Sequence, residues 1–284
     1  MLMPKKLAVR TQRIGDHDVR LTMRPWHRVE LVYWRPGGGL QNFGDHLSAI
    51  ITTKMLADRG FFFSQSVARP ARLLAAGSIL HEARDGDVIW GSGRNGSVSD
   101  DAHGFTRLDV RAVRGPLTRE FLAQKGVRAP EIYGDPALLL RRLLPRFANG
   151  PKVREEVIVP NLQDVTQTAG IRNLVSPFAP WNVVLEAITS SRLVLAGSLH
   201  AIIVAETYGI PVRYVRLSEA EPLLKYEDYF LGTGRPLPDY GRTIEEAREM
   251  GGMPPLAFDG DALLNAFPFD LWEGSGDQGR PQGW

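Results

Sequence analysis

One stretch of the chain, residues 192–211, constrains the fold more than any other. It opens with a short apolar run of branched residues, which is typical of a strand buried on both faces. Gly197 and Ser198 end that run, and no helix breaker follows until Gly209 and Pro211. The pattern predicts a buried strand, a tight turn, a buried helix that begins after Ser198, and a further strand over residues 212–215.

His200 falls in the first turn of this predicted helix, at the carboxyl end of the strand. Ligands of open α/β sheets bind at that edge, and the free backbone N–H groups of a helix N-terminus attract anions. A lone histidine beside a helix cap is equally often a structural residue, so the local pattern leaves both roles open.

An earlier segment has the same order of strand, glycine-containing loop and helix. An apolar strand over residues 29–34 leads through a loop to Asp45, and apolar residues at helical spacing predict a helix over residues 45–59. The loop lacks the G-x-G-x-x-G spacing of dinucleotide-binding turns. Asp45 is interpreted as a helix cap, a ligand contact, or both at once.

Arginines follow the next two predicted strands. The strand over residues 87–90 leads into a loop with Gly93 and Arg94, and the strand over residues 110–113 leads to Arg114 and a helix. Glycine backbone N–H groups and a planar guanidinium both suit phosphate or carboxylate. A plain polar turn explains the loop of Arg94 equally well.

The second half of the chain resumes the alternation after a charged, proline-containing segment at residues 141–156. Before that segment, Asp135 precedes Pro136 and is predicted to be structural, because an aspartate carboxylate accepts from local backbone in an Asx turn. Strands alternating with helices predict an α/β fold with parallel sheets and helices on each face, arranged as two Rossmann-like domains. The expected units are an N-terminal arm (residues 1–28), two domains (residues 29–148 and 149–273) and a flexible tail (residues 274–284).

The composition limits the kinds of ligand and partner that we expect for this protein. The chain has no cysteine, and its six histidines are scattered without paired spacing, so we expect neither disulfides nor a metal site. No apolar run is long enough to span a bilayer, and a net charge of +2 with scattered basic residues favours an anionic small ligand over nucleic acid. We expect a cytoplasmic protein, for which peripheral contact with the inner face of the membrane would fit.

Five pieces of the sequence together resemble the polysaccharide pyruvyl transferase family. They are Asn42-Phe43-Gly44-Asp45, Val113-Arg114, Asp135-Pro136, Ser198-Leu199-His200-Ala201 and the segment at residues 224–229. Each piece is weak alone, but their order and spacing agree. The sequence departs from the family at Ser198, where arginine is common, and at Tyr226, where tryptophan is usual.

The resemblance implies transfer of pyruvate from phosphoenolpyruvate, a co-substrate, with no further cofactor. The acceptor would be a sugar of a polysaccharide or of its lipid-linked precursor, and the fold would be two-lobed and glycosyltransferase-B-like. Histidine suits the general acid that protonates the enol carbon, since its pKa lies near the working pH. The implied residues are His200 as acid, Asp45 as base, and Asn42, Gly93, Ser198 and Leu199 as further substrate contacts. The anion-binding cations would be Arg114 and Arg94, with Lys225 third, and Arg114 is the first choice to replace the arginine missing at position 198.

Two alternatives remain open at this point. In a nucleotide-sugar-dependent glycosyltransferase of the same shape, His200 and Arg114 would hold a diphosphate. A carbohydrate-binding or assembly protein without catalytic activity would need neither donor. Phosphoenolpyruvate should raise the melting temperature under the first reading, a nucleoside diphosphate under the second, and neither under the third.

Overall fold

The computed structural model describes residues 9–14, 17–22, 27–36 and 40–273. The predicted flexible tail, the glycine run of the first loop (residues 37–39) and parts of the N-terminal arm lie outside the described residues. Within the arm, strands β1 (Val9–Ile14) and β2 (His17–Thr22) pair antiparallel. No helix in the described part of the chain is long and apolar enough to cross a membrane.

The first parallel sheet follows the arm. It has four strands in the order β3-β4-β5-β6: β3 (Val29–Val32), β4 (Ala71–Leu74), β5 (Val88–Trp90) and β6 (Asp109–Ala112). Helix α1 (Phe43–Ala57) connects β3 to β4, and helix α2 (Pro116–Gln124) follows β6. Pro116 occupies the start of α2, where its fixed φ and missing N–H carry no cost.

The second parallel sheet has three strands in the order β7-β8-β9. They are β7 (Arg154–Val159), β8 (Ser191–Ala196) and β9 (Val212–Tyr214). Helix α4 (Trp181–Thr189) precedes β8, and α5 (Leu199–Thr207) connects β8 to β9. The predicted strand, turn and helix of residues 192–211 are therefore confirmed, and Gly209 ends the helix region with a φ of +70° that suits glycine.

Five short helices complete the fold. They are α3 (Leu140–Leu143), α6 (Leu224–Gly232), α7 (Ile244–Met250), α8 (Asp261–Asn265) and α9 (Asp270–Glu273). The charged segment at residues 141–156 contains part of α3, a 3-10 turn and the start of β7. The domain boundaries proposed from the sequence remain predictions.

The largest hydrophobic core cluster includes side chains from both sheets. The 3-10 helix Pro136–Leu139 is buried and contacts both α1 and α5, so it holds the two helices near each other. The mixed α/β fold with parallel sheets is thus confirmed. One local expectation was wrong: α1 begins at Phe43, so Asn42 rather than Asp45 caps it.

Candidate active site

A cleft of about 320 Å³ lies at the carboxyl ends of strands from both sheets, the edge at which α/β folds bind ligands. The cleft is lined by residues that follow β3, β4, β5, β7, β8 and β9 in the chain. Its lining residues are Trp34, Asn42, Asp45, Ser78, Ile79, His81, Asn95, Asn161, Leu162, Gln163, Pro177, Phe178, Ser198, Leu199, His200, Glu221 and Lys225.

A larger open groove of about 770 Å³ runs along the outer face of α1 and is lined mainly by apolar atoms. It contains none of the residues to which the sequence assigns chemistry. We therefore place the candidate site in the smaller cleft, where titratable side chains from distant parts of the chain converge.

The N-termini of α1 and α5 meet at this cleft. The imidazole of His200 lies against the backbone of Gly44, where an added Cβ would come within 2.3 Å of Nδ1. The Phe43 N–H also donates to the carbonyl of Pro177 at 2.9 Å, which ties the start of α1 to the second half of the chain. Glycine at position 44 is therefore explained by the close approach of His200.

His200 is held between charged groups. Its Nε2 lies 3.6 Å from Oδ2 of Asp135, a charge contact slightly longer than a hydrogen bond. Burial favours the neutral imidazole, but the negative charges of Asp135 and then Asp45 outweigh it, so the pKa of His200 is raised above its ordinary value. The fold thus favours the charged form, the one that can donate a proton at neutral pH.

Asp45 lies in the first turn of α1 and faces the same cleft. Its Oδ2 accepts a hydrogen bond from Nδ2 of Asn42 at 2.8 Å, while the Asn42 side-chain oxygen accepts from the Gly44 N–H at 3.0 Å. Burial raises the pKa of Asp45 to about 6, although the positive charges of His200 and Lys225 oppose the shift. A carboxylate with that pKa is a stronger base than an ordinary aspartate.

The start of α5 offers backbone donors. The first N–H groups of a helix have no partner inside it, and the helix dipole makes this end attractive to anions. Ser198 occupies the N-cap position, as predicted, yet its hydroxyl makes no capping hydrogen bond to any residue in the described ranges. Ser198 and Leu199 both line the cleft, so these amides lie beside His200.

Lys225 is the one lysine or arginine among the described residues that line the cleft. Its Nζ lies 2.6 Å from a carboxylate oxygen of Glu221, and both side chains are mostly buried. Burial lowers the pKa of Lys225, with the charge of Arg114 acting in the same direction, whereas Glu221 and Asp45 counteract the shift. Lys225 therefore presents a poorly solvated ammonium group to the cleft.

Arg114 lies behind the cleft wall rather than in it. Its side chain is buried, and Nε donates to Oδ2 of Asp228 at 3.0 Å. Its two terminal nitrogens donate to the Ser78 hydroxyl at 2.6 Å and to the Arg94 carbonyl at 2.7 Å. These hydrogen bonds hold α6 and the loop after β4 in place. The contact of Arg114 with the phosphoenolpyruvate donor, which the sequence led us to expect, remains a prediction.

The packing around Arg114 also accounts for Gly93 and the position of Arg94. An added Cβ at Gly93 would lie 2.4 Å from the Arg114 guanidinium carbon, so glycine leaves room for that side chain. The Arg94 guanidinium stacks over Phe121 at 4.5 Å and pairs with Asp100. Neither residue lines the cleft, so the structure does not bring them to the other candidates.

Sequence reasoning missed two charged residues of this site. Asp135 was predicted to form an Asx turn, and it does so because Oδ1 accepts from the Ala137 N–H at 2.9 Å; its other oxygen faces His200. Glu221 was not singled out, although its four-residue spacing from Lys225 is an ordinary signal for an ion pair. Nothing in the local sequence indicates that Asp135 and His200 are neighbours.

The described residues contain no group of three or more histidine, cysteine, aspartate or glutamate side chains that could hold a metal ion. The cleft does hold two proton-transfer groups, His200 and Asp45. Beside them lie groups that can bind an anion: Lys225 and the backbone N–H groups at the start of α5. This set can protonate one substrate atom, deprotonate another and bind a small anion.

Two known proteins are similar to this chain in sequence or in structure. Succinoglycan biosynthesis protein ExoV from Rhizobium meliloti (strain 1021) is 29% identical over 210 residues, which is 69% of this chain and 62% of ExoV. The chain thus spans less than two thirds of that relative's length. A crystal structure of a functionally uncharacterized protein from Klebsiella pneumoniae subsp. pneumoniae NTUH-K2044 aligns with a TM-score of 0.46 at 13% identity, covering 72% of this chain and 87% of that one.

The sequence also matches a known family over residues 42–219, more than half of the chain. The match begins at Asn42, the cap of α1, and includes Asp45, Asp135 and His200. Glu221 and Lys225 lie just beyond its end. The chain belongs to the polysaccharide pyruvyl transferase family.

Proposed function

We propose that the protein transfers pyruvate from phosphoenolpyruvate to a sugar of a polysaccharide, or of its lipid-linked precursor, and forms a pyruvate ketal. The observation that supports this most directly is the convergence of His200 and Asp45, which come from two distant motifs and meet beside Gly44. The pKa values of both groups are raised, which favours the proton-donating form of His200 and makes Asp45 a stronger base than an ordinary aspartate.

The donor would bind at the start of α5, with Lys225 as the principal cation. The free N–H groups after Ser198 and the ammonium group of Lys225 suit the phosphate and carboxylate of phosphoenolpyruvate. Arg114, whose charge is paired with Asp228, would hold Ser78 of the cleft in place without touching the donor. We thus assign to Lys225 the role that an arginine at position 198 would have, and give Arg114 a positioning role.

The reaction follows from these placements. Charged His200 gives its proton to the enol methylene carbon, and C2 becomes electrophilic. One sugar hydroxyl attacks C2 and loses its proton to Asp45. A second hydroxyl of the same sugar then attacks C2 as the C2–O bond to phosphate breaks. Neutral His200 takes up the proton of this hydroxyl, and phosphate leaves with the proton that Asp45 holds, so both residues return to their starting charge states. Protons and bonds balance, and the products are the ketal and inorganic phosphate.

The wider arrangement is part of the same proposal. The two parallel sheets would form the lobes of a glycosyltransferase-B-like architecture, with the acceptor sugar entering the cleft between them. Trp34, which is 45% exposed at the cleft, and the amide side chains of Asn95 and Gln163 are suited to a sugar, because aromatic faces and amides bind sugar rings and hydroxyls. A lipid-linked acceptor would place the protein at the inner face of the membrane.

Donor binding tests the proposal most simply. Phosphoenolpyruvate should raise the melting temperature of the purified protein in a concentration-dependent manner, and Lys225→Met should weaken the effect. Phosphate release that depends on an added oligosaccharide would then establish transfer. Stabilisation by a nucleoside diphosphate, with no response to phosphoenolpyruvate, would instead favour a glycosyltransferase and overturn the proposal.

A further inference from the structure

We propose that Asp135 is a positioning residue that fixes the tautomer of His200, so that Nδ1 is the nitrogen that exchanges the catalytic proton. Asp135 would hold a proton on Nε2 in both charge states of the ring. The assignment of the tautomer rests on geometry alone, whereas its use in catalysis rests on the function proposed above.

The two oxygens of the Asp135 carboxylate make different contacts. Oδ1 accepts a hydrogen bond from the Ala137 N–H at 2.9 Å and thereby caps the 3-10 helix Pro136–Leu139. This contact fixes the orientation of the carboxylate, and Oδ2 then faces Nε2 of His200 at 3.6 Å. Because the Asp135 side chain is only 1% exposed, its Oδ2 relies on protein groups rather than on bulk water.

The surroundings of the His200 Nε2 atom favour a proton on that nitrogen. Nε2 is buried and has no hydrogen-bond partner within the described ranges. An unprotonated Nε2 would direct a lone pair at the Asp135 carboxylate, which is repulsive, whereas a protonated Nε2 directs positive charge at it. In metal sites, a carboxylate contact of this kind fixes the ring orientation and tautomer of a histidine in the same way. Asp135 therefore selects the Nε2–H form.

Nδ1 is the nitrogen of His200 that remains available to the substrate. Nδ1, the other ring nitrogen, lies over Gly44, and Asn42 and Asp45 on either side of this glycine in the chain line the cleft. The charged groups that act on the ring are Asp135 from the turn, Asp45 from α1 and Lys225 from α6. Only Asp135 makes a charge contact with Nε2 among the described residues. Proton exchange at Nδ1 is thus the exchange that leaves the Asp135 contact intact.

Nitrogen NMR on the ligand-free full-length protein tests the tautomer directly. The six histidines are labelled with ¹⁵N, and His200 is assigned by the signal lost in His200→Gln. In the wild type, the neutral ring should show the shifts of Nε2–H and unprotonated Nδ1. In Asp135→Asn, the Asn carbonyl can still accept from Ala137, but an NH₂ group now faces Nε2, so the tautomer should switch to Nδ1–H.

A second variant distinguishes the contact of Asp135 with Nε2 from the general effect of a negative charge near His200. Asp45→Asn also removes a negative charge near His200 and should lower its pKa, but it should leave the Nε2–H tautomer unchanged. Asp135→Asn should change both. A wild-type ring with its proton on Nδ1, or an Asp135→Asn ring with an unchanged tautomer, would overturn the proposal. The wild-type measurement decides the matter even when Asp135→Asn fails to fold.

The catalytic consequence has its own readout. Asp135→Asn should lower kcat by about ten- to hundred-fold while the KM for phosphoenolpyruvate changes little, because the carboxylate acts through His200. The decline of kcat on the alkaline side should also move to lower pH. An Nε2–H tautomer in a protein with no pyruvyl transfer would leave the geometry intact and contradict the proposed function alone. Wild-type kcat and pH profile in Asp135→Asn would contradict the catalytic part of the inference.

Discussion

Replacing Asp45 with Asn should make the folded protein more stable at neutral pH while it removes the proposed base. Burial raises the pKa of Asp45 from 3.8 to about 6, so the fold disfavours the ionised carboxylate. An Asn at this position would carry no charge, and its carbonyl could still accept the hydrogen bond that Asn42 donates at 2.8 Å. The side chain is nearly isosteric, so packing around it should be retained.

The size of the effect follows from the shift in pKa. One pKa unit corresponds to about 1.4 kcal/mol, so a shift from 3.8 to about 6 corresponds to about 3 kcal/mol. Because the folded state binds this proton more tightly than the unfolded chain, the free energy of unfolding falls as pH rises from 3.8 through about 6. The Asn variant lacks this loss. The free energy of unfolding of the Asn variant should therefore exceed that of the wild type by up to about 3 kcal/mol at pH 7 and by little at pH 4.

Urea unfolding of both proteins at pH 4 and pH 7 measures the difference. Asp101→Asn, in the exposed 3-10 turn Asp100–Ala102, is a matched control and should show the same difference from the wild type at both pH values. A gap between Asp45→Asn and the wild type that is equal at both pH values would refute the reasoning. So would an Asn variant that is less stable than the wild type at pH 7, since the carboxylate would then be stabilising.

Three further substitutions separate the roles assigned to the other candidates. His200→Gln should lower turnover by about 10²–10⁴-fold in a folded protein, since glutamine cannot deliver a proton; near-normal turnover would remove His200 as the acid. Lys225→Met should raise the KM for phosphoenolpyruvate about ten-fold or more, because loss of a charge-assisted contact costs roughly 1.5–3 kcal/mol, and Lys225→Arg should restore part of the affinity. Arg114→Ala should lower the free energy of unfolding by about 3–5 kcal/mol, because it leaves buried Asp228 without its counter-charge; urea unfolding measures this. A stable Arg114→Ala protein with a raised donor KM would instead support the direct donor contact expected from the sequence.

The parts of the fold that the sequence predicted well are those determined by neighbouring residues. The strand, cap and helix around His200 follow from an apolar run, a serine and a glycine within one short segment, and the structure confirms each element. The start of α1 was placed two residues late because Asn42 and Asp45 are both good caps. Only the backbone shows that Asn42 accepts from the Gly44 N–H, which leaves Asp45 available to the cleft.

The contacts that the sequence could not predict join residues far apart in the chain. Arg114 was expected to face the donor because it precedes a helix N-terminus. That donor contact remains a prediction; in the structure, Asp228 of α6 lies at this N-terminus, where it accepts from the Thr118 N–H at 3.0 Å as well as from Arg114. Gly115 permits this, since a Cβ there would lie 1.8 Å from the Asp228 carbonyl oxygen. An anion site visible in the sequence is therefore already occupied by a carboxylate of the same chain.

That occupied site explains why the cation of the cleft comes from α6. With Asp228 anchored between Arg114 and α2, the first turn of α6 is fixed at the cleft, and Lys225 precedes Asp228 by three residues, within that turn. Its position therefore depends on a buried ion pair whose two residues do not line the cleft. Ser198 leaves the start of α5 without an arginine, and a lysine held by the Arg114–Asp228 pair provides the positive charge beside the same amides. Loss of Arg114 would then weaken donor binding through displacement of α6, even though Arg114 itself lies outside the cleft.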